Sequence, residues 1–557
     1  MGGAPGTRIY YVQIDNMWHE IEELANKKGI EIKKDGKASL DKSNVNNSNQ
    51  TITIEISGLD ESTTVKKVVE NGESITYEDI TSQTTFENGN KIKITAGTSN
   101  LSNVTITVSV TNVTENYAVA LTVTKMLAPT ATTATPNTTT FSTAYGTIDV
   151  IWLDTSNNIK SVPNEPILTS NNETMTKVTW TKSNNTWTED SSPKEDWYSY
   201  NAVSTRETSG KTTDNLTSLW ANAKTQNNSY FVWIPRYAYR ITYYSSDTST
   251  EPTGYYDGYG MWKAEDGSLK YALDSGIETV TTEGKKYIVH PAFETNLDNG
   301  GWSSDVSGIW VAKYEMGGSS ASALESKNGT ASIRSQSIGT QYTNARNATY
   351  GFTGTLDNED NNTSYMHSHM MKNSEWGAVA YLTHSKYGRN GNEITINGNT
   401  DHLRGGGSGT AYLTNTNQST TGNPYGIYDM SGNSTEFTAA WAAEIADDYI
   451  SYGAPFAGKG GTSTKYATAY SNETTDMYRS YEVSRIGDAI KEVRQQVYNR
   501  AWLGDQSGVV ASKYPFSFRD GAAELVGLGR GEECGIFGSH SWYYGGPSTS
   551  FRVTLIQ

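Results

Sequence analysis

Seven histidines, one cysteine and 60 acidic residues bound the chemistry open to this 557-residue chain. His367 and His369, in SYMHSHMMKN, form its close histidine pair. On an extended segment, residues two apart share a face, so the pair could chelate a metal. No third ligand is evident, and both are expected to pack and cap instead. Cys534 stands alone, which excludes an intrachain disulfide and a Cys-based zinc site. There is no G-x-S-x-G elbow, no HExxH and no phosphate loop. The run RGGGSGT at 404–410 follows no convincing strand and reads as a mobile loop. Carboxylate pairs of the glycosidase kind arise too easily by chance among so many acids to single one out. Asn433 and Glu436, in SGNSTEF, carry oxygens that can fix loop backbone or hold calcium. No catalytic set emerges, and a structural calcium is the one cofactor these residues allow.

Composition narrows the class. Hydrophobic residues make up 35% and aromatics 11%, with 36 Tyr and 14 Trp, and the mean hydropathy is -0.59. Aromatic richness argues against general disorder, and low hydropathy against membrane insertion. Charged residues are only 19%, so Asn, Thr, Ser and Gly carry the polarity, as in extracellular β-rich proteins. A net charge of -16 excludes a nucleic-acid partner, which requires clustered Lys and Arg. The start, MGGAPGTRIYYVQ, has neither the basic nor the apolar region of a signal peptide. Either a trimmed terminus or export without a standard signal, as for a phage virion component, is expected.

The elements that must position any site are mainly β. Residues 1–30 form an N-terminal segment whose stretch 14–28 predicts a helix, with Ile14, Met17, Trp18, Ile21 and Leu24 in one stripe. Such a helix wants a partner, and it could attach the chain or join copies of it into a homo-oligomer. From 31 to 126 the period is two: TITIEISG (51–58), KIKITAG (91–97), VTITVSV (104–110) and YAVALTVTK (117–125) predict an immunoglobulin-like β-sandwich. Residues 127–143, with Pro129 and Pro136, read as a semi-stiff linker. A final domain, 144–557, is α+β: strands are expected at 145–154, 230–241 and 308–316, and a helix over 370–388, capped by Asn373 and stopped by Gly388. The stretches 242–288, 317–366 and 389–422 read as long loop insertions.

Five segments of this last domain, taken in order, resemble the formylglycine-generating-enzyme-like domain. FVWIP (231–235) and WVAKYEM (310–316) look like its first two strands, and KNSEWGAVAYL (372–382) looks like its helix entry. NPYGIYDMSGNSTEF (423–437) is similar to its most distinctive block, with Thr435 and Phe437 where the family places Trp. SFRV (550–553) looks like its closing strand. The resemblance implies a variant of the C-type-lectin fold. It covers 231–553, and calcium near the central block is sometimes bound in that family. The founding enzymes need a reactive Cys pair and the iron-using members a His-rich site; neither pattern is present here. VWIPRYAYRI, IVHPAF (288–293) and the helix entry further resemble the variable proteins of diversity-generating retroelements in Gram-positive bacteria and their prophages. That resemblance implies a display scaffold whose C-terminal stretch is rewritten.

Residues 501–553 fit such a stretch. Phe518, Arg519, Gly521, Gly535, Phe537, Phe551 and Arg552 match positions the family keeps for folding. Between them, AAELVGLGR, EEC and SHSWYY have mixed chemistry and no periodicity. The expected ligand surface comprises Asp505, Gln506, Ser517, Ala522, Glu524, Leu525, Val526, Leu528, Arg530, Glu532, Glu533, Cys534, Ser539, His540, Trp542, Tyr543, Tyr544, Ser548 and Thr549. Trp542 and Tyr543 are its anchors, since rigid aromatics flanked by Ser and Gly are the composition of antibody paratopes. An ordinary aromatic loop packed on the fold is the alternative. The expected function is ligand binding, to a protein or glycan on a cell surface, from a bacterial surface or a phage virion. A structural spacer protein and a metalloenzyme are the other readings.

Overall fold

The computed structural model describes ten strands between 11 and 126 as backbone, and most of 146–556. Outside the described residues lie 171–172, 191–196, 203–217, 296–300, 319, 353–365, 472–482, 494–499, 522, 524–533 and 545–547. So does 244–275, apart from the short strands Ala264–Glu265 and Ser268–Leu269. The chain divides into two units, Met1–Asn137 and Thr138–Gln557, a division that falls within the Pro/Thr-rich stretch 127–143.

In the first unit, alternation of β-branched and polar residues produces extended chain, as this pattern requires for a half-buried strand. Thr51–Ser57, Asn103–Thr111 and Ala120–Met126 lie in a five-stranded antiparallel sheet with Ile30–Ile32 and Lys37–Leu40. Thr64–Asn71 pairs with Ser74–Asp79 and Lys91–Thr95 in a three-stranded sheet. The helix expected over 14–28 is corrected in its described part. Tyr11–Ile14 and Met17–Glu20 are paired strands, with Val12 opposite His19 and Ile14 opposite Met17. Tyr, Val, Ile and Trp favour extended chain. The apolar stripe of 14–28 therefore offers no helical surface between 17 and 20 for joining copies.

The second unit is built on a seven-stranded antiparallel sheet. Its order is Thr186–Asp190, Thr176–Ser183, Asn222–Lys224, Tyr230–Pro235, Gly308–Ala312, Val553–Ile556 and His367–Met370. The C-terminal strand thus closes a sheet begun some 370 residues earlier, between Gly308–Ala312 and His367–Met370. The central strands are apolar runs without alternation, because they are buried on both faces. A five-stranded sheet contains Gly146–Leu153, Tyr237–Tyr243 and Lys285–Val289.

The run 230–241, read as one strand, is two strands in two sheets. Arg236 is the break: it is buried, donating to Phe293 O at 2.6 Å and Asn157 Oδ1 at 2.6 Å and pairing with Glu294 and Asp305.

Asn373–His384 is the expected helix, shorter than its 370–388 span and buried on every side. Its cap is not Asn373: Glu375 reaches back to accept from the Lys372 backbone N–H at 2.9 Å. Nor does Gly388 stop it, since the helix ends at Ser385, whose hydroxyl donates to Leu382 O at 2.7 Å. Asn373 instead gathers Arg519 Nε at 2.9 Å, Thr438 Oγ1 at 2.9 Å and Tyr470 OH at 3.1 Å.

Candidate functional site

The site stands at one end of a mixed sheet. Its spine is Thr435–Ala442, buried along all eight residues. This strand runs parallel to Thr549–Phe551 and Thr468–Tyr470 and antiparallel to Phe516–Arg519, which pairs in turn with Ser539–Trp542. The turn entering the spine uses left-handed backbone at Asp429, Gly432 and Asn433 (φ 60°, 86° and 71°). Glycine is required at 432, where a Cβ would come within 2.5 Å of Asn397 O.

Four carboxyl groups are buried behind that turn: Glu315, Asp429, Glu436 and Asp520. Arg552 threads between them. Its Nε donates to Glu436 Oε2 at 3.1 Å, Nη2 pairs with Glu436 Oε1 and also reaches Tyr428 O at 3.0 Å, and Nη1 donates to Ala312 O at 2.8 Å. The Asp429 carboxylate accepts the Gly405 N–H at 2.9 Å and Asn397 Nδ2 at 2.9 Å. This corrects the reading of 404–410 as a mobile loop: Arg404 is buried against Thr330 and Glu325, and Gly405 is tied to Asp429. Burial raises all four acids, Glu436 to about 7 against the pull of Arg552, while Glu315 and Asp520 also feel the other carboxylates.

Beyond the sheet's end lies a cluster of six aromatic rings. Tyr449 closes the short 3-10 turn Asp447–Tyr449, and Tyr452 sits in the next turn, Ile450–Gly453. Tyr514 precedes the Phe516–Arg519 strand, while Trp542 ends Ser539–Trp542 and is followed by Tyr543 and Tyr544. Trp542 and Tyr543 stack at 4.9 Å, and Tyr543 lies 5.4 Å from Tyr449 and 6.1 Å from Tyr514. Tyr544 is 4.7 Å from Tyr543 and 6.3 Å from Tyr452. Tyr452 and Tyr544 are exposed, at 40% and 37%. Tyr449 and Trp542 pack against the core behind them, while Tyr452 and Tyr544, from two chain segments, leave large aromatic surface in solvent.

Of the residues expected to form this surface, Trp542 and Tyr543 are half-buried in the cluster, Tyr544 is exposed, and Gln506 and Ser548 are half-buried. Asp505, Ser517, Cys534, Ser539, His540 and Thr549 are buried, which corrects their assignment to an open face. Asp505 accepts the Phe537 N–H at 2.9 Å, and the Ser539 hydroxyl donates to Gly508 O at 2.9 Å. Ala522, Glu524, Leu525, Val526, Leu528, Arg530, Glu532 and Glu533 lie outside the described residues. The sequence reading missed Tyr449, Tyr452 and Tyr514. The spacing of three between Tyr449 and Tyr452, after Asp447 and Asp448, is the one sequence signal that marks the first two, and Tyr514 has none.

The two histidines have separate partners. His369 Nε2 lies 2.7 Å from Glu375 Oε1, and His367 Nδ1 lies 3.0 Å from Tyr466 OH. Among the described residues, no three of His, Cys, Asp and Glu are grouped to hold a metal ion. Glu436 is engaged by Arg552, whereas the Asn433 side-chain oxygen, Glu315 Oε2 and Asp520 Oδ2 are buried without a hydrogen-bond partner. Among the described residues no helix is long and apolar enough to cross a membrane. Compared with known proteins, the chain matches no family model and no curated protein.

Proposed function

We propose that the chain is a non-catalytic binding protein, for receptor binding or adhesion, that presents the six-ring surface of its second unit to a ligand. The single observation carrying this reading is the cluster itself: Tyr452 and Tyr544 stand exposed beside Trp542 and Tyr543 at the end of a buried sheet. Aromatic anchors on a rigid support supply large contact area at low entropic cost. The five ordered motifs and the Gly-rich tail support placing this unit among the C-type-lectin-fold variable proteins of diversity-generating retroelements, with 501–553 as the rewritten stretch. On that reading the first unit is an immunoglobulin-like spacer, and the chain works outside the cell on a bacterial surface or a phage virion. A calcium ion near the 429–436 turn would draw on Asn433, Glu315 and Asp520, with Glu436 left to Arg552. The reading is tested by replacing Tyr452 and Tyr544 with Ala and scoring attachment to cells and to protein and glycan arrays. Unchanged attachment would remove the surface from the mechanism. A reverse transcriptase gene beside this one, with a near-copy of the codons for 501–553 differing at adenines, tests the diversification.

A further inference from the structure

We infer that the six-ring cluster takes a quaternary ammonium group. The inference rests on the reading of that cluster as the ligand surface and names the chemistry it selects.

The first argument is shape. Tyr543 meets Tyr449 at 43°, Tyr514 at 53° and Tyr544 at 57°, while Tyr544 meets Tyr452 at 45° and Trp542 at 49°. Trp542 and Tyr543 stack at 23° and Tyr514 meets Trp542 at 34°, but Tyr449 and Tyr544 are inclined to that stack and Tyr452 to Tyr544, so the cluster is not one flat stacking plane for a sugar face. The inclined rings make walls. A cation gains from a ring's quadrupole within about 6 Å of the centroid. The Tyr452 and Tyr544 centroids are 6.3 Å apart, so one cation can lie within that range of both.

The second argument is what covers ring faces elsewhere. Lys372 stands 3.6 Å over Trp302, Arg346 stands 3.5 Å over Tyr466 and Lys313 stands 4.7 Å over Trp180. Among the described residues no cation stands over any of the six clustered rings.

The third is charge. Asp447 and Asp448 are exposed on the turn that carries Tyr449, and Glu444 is half-buried before them. Lys459 pairs with Asp447 at 3.1 Å, and Lys513 is exposed beside Tyr514, leaving the carboxylates in excess in a chain of net charge -16. This favours a cation over an anion.

A primary ammonium is a strongly hydrated point charge and needs acceptors to replace its water. A quaternary ammonium, with its methyl surface, needs only the faces.

The full-length chain is titrated with choline, phosphocholine and the uncharged tert-butyl analogue of choline, followed by tryptophan fluorescence and calorimetry. Saturable choline binding is expected, with the uncharged analogue weaker by about tenfold or more. Tyr544→Phe should retain binding and Tyr544→Leu should lose it, because the quadrupole and not the apolar area is what the cation uses. Phosphatidylcholine vesicles and a trimethyllysine peptide separate the sources of the group. Equal binding of the uncharged analogue would overturn the inference and leave an apolar recognition surface standing. Absence of choline binding, with attachment to a protein or glycan still lost in Tyr452→Ala, would likewise overturn it alone. Loss of nothing in either variant would overturn both readings.

Discussion

Replacing Arg552 by Met tests whether the buried carboxyl cluster is what holds the site's sheet in register. Arg552 joins the closing strand to Ala312 O at 2.8 Å, to Tyr428 O at 3.0 Å, to Asp429 O at 3.1 Å and to Glu436 at 3.1 Å. Without it, Glu436 is left uncompensated near Glu315, Asp429 and Asp520. Removing one partner of a buried ion pair costs about 3–5 kcal/mol. Glu436 can limit that loss by taking a proton, and its carboxyl already sits at about 7 in the intact protein. The cost should therefore lie near 3 kcal/mol at pH 6 and nearer 5 kcal/mol at pH 8, as rough values. Urea denaturation followed by circular dichroism at the two pH values reads both. In a unit of this length each kcal/mol moves the Tm by roughly 1 °C, so chemical denaturation is the more sensitive assay. The double variant Arg552→Met with Glu436→Met should recover most of the loss, because a well-packed apolar pair replaces the ion pair at little net cost. A single variant losing less than about 1 kcal/mol at both pH values, or a double variant no better than the single, would refute the account.

Three further outcomes follow from burial and charge. Tyr452→Ala and Tyr544→Ala should leave stability within about 0.5 kcal/mol while abolishing ligand attachment, since both side chains are exposed. Thermal stability should fall as pH rises from about 4.5 to about 7. Burial raises Glu492, held by Tyr239 OH at 2.7 Å and Tyr381 OH at 2.9 Å, from 4.5 to about 7, and Glu436 and Glu294 likewise. A carboxyl raised on folding contributes fully below its unfolded value and loses that contribution as pH rises through the folded one. Glu492→Gln should flatten this slope, and an unchanged slope would show that other groups set it. Chelation with EDTA tests the calcium reading: a fall of several degrees in Tm would reveal a resident cation, and an unchanged Tm would leave the four buried acids to Arg552 and to protons.

How much of this was legible in the sequence depends on how local the cause is. Thr51–Ser57 and Asn103–Thr111 follow from alternation alone, which is a property of neighbours. Asn373–His384 was visible as a helix, but its all-round burial erased the amphipathic stripe that fixes ends, so both its cap and its stop were misplaced. Arg236 looked like a residue within one strand, because its partners Glu294 and Asp305 lie some 60 and 70 residues downstream. Glu436 had the oxygens for calcium, and only the approach of Arg552 from the closing strand shows how those oxygens are used. Trp542, Tyr543 and Tyr544 stood out as adjacent aromatics. Tyr449, Tyr452 and Tyr514 join them only because Phe516–Arg519 pairs with Ser539–Trp542 on one side and with Thr435–Ala442 on the other, which brings three distant segments to one end.

That pairing also limits which positions of 501–553 can vary. Ser517 lies opposite Ser541 and Arg519 opposite Ser539, and all four are buried. The Ser539 hydroxyl donates to Gly508 O at 2.9 Å, and Ser517 lies 3.1 Å from the Asn373 amide that also holds Arg519. Small side chains here are a consequence of close packing between neighbouring segments, and a large one has nowhere to go. Ser517→Tyr and Ser539→Tyr should each destabilise the unit by about 1–3 kcal/mol or prevent folding, as overpacking does. Tyr544→Ser and Tyr543→Ser should change stability far less and ligand choice far more. Measured side by side by urea denaturation, equal losses at the two sets of positions would show that the tail has no division between a fixed interior and an exchangeable face, and exchange of its side chains could not then tune recognition.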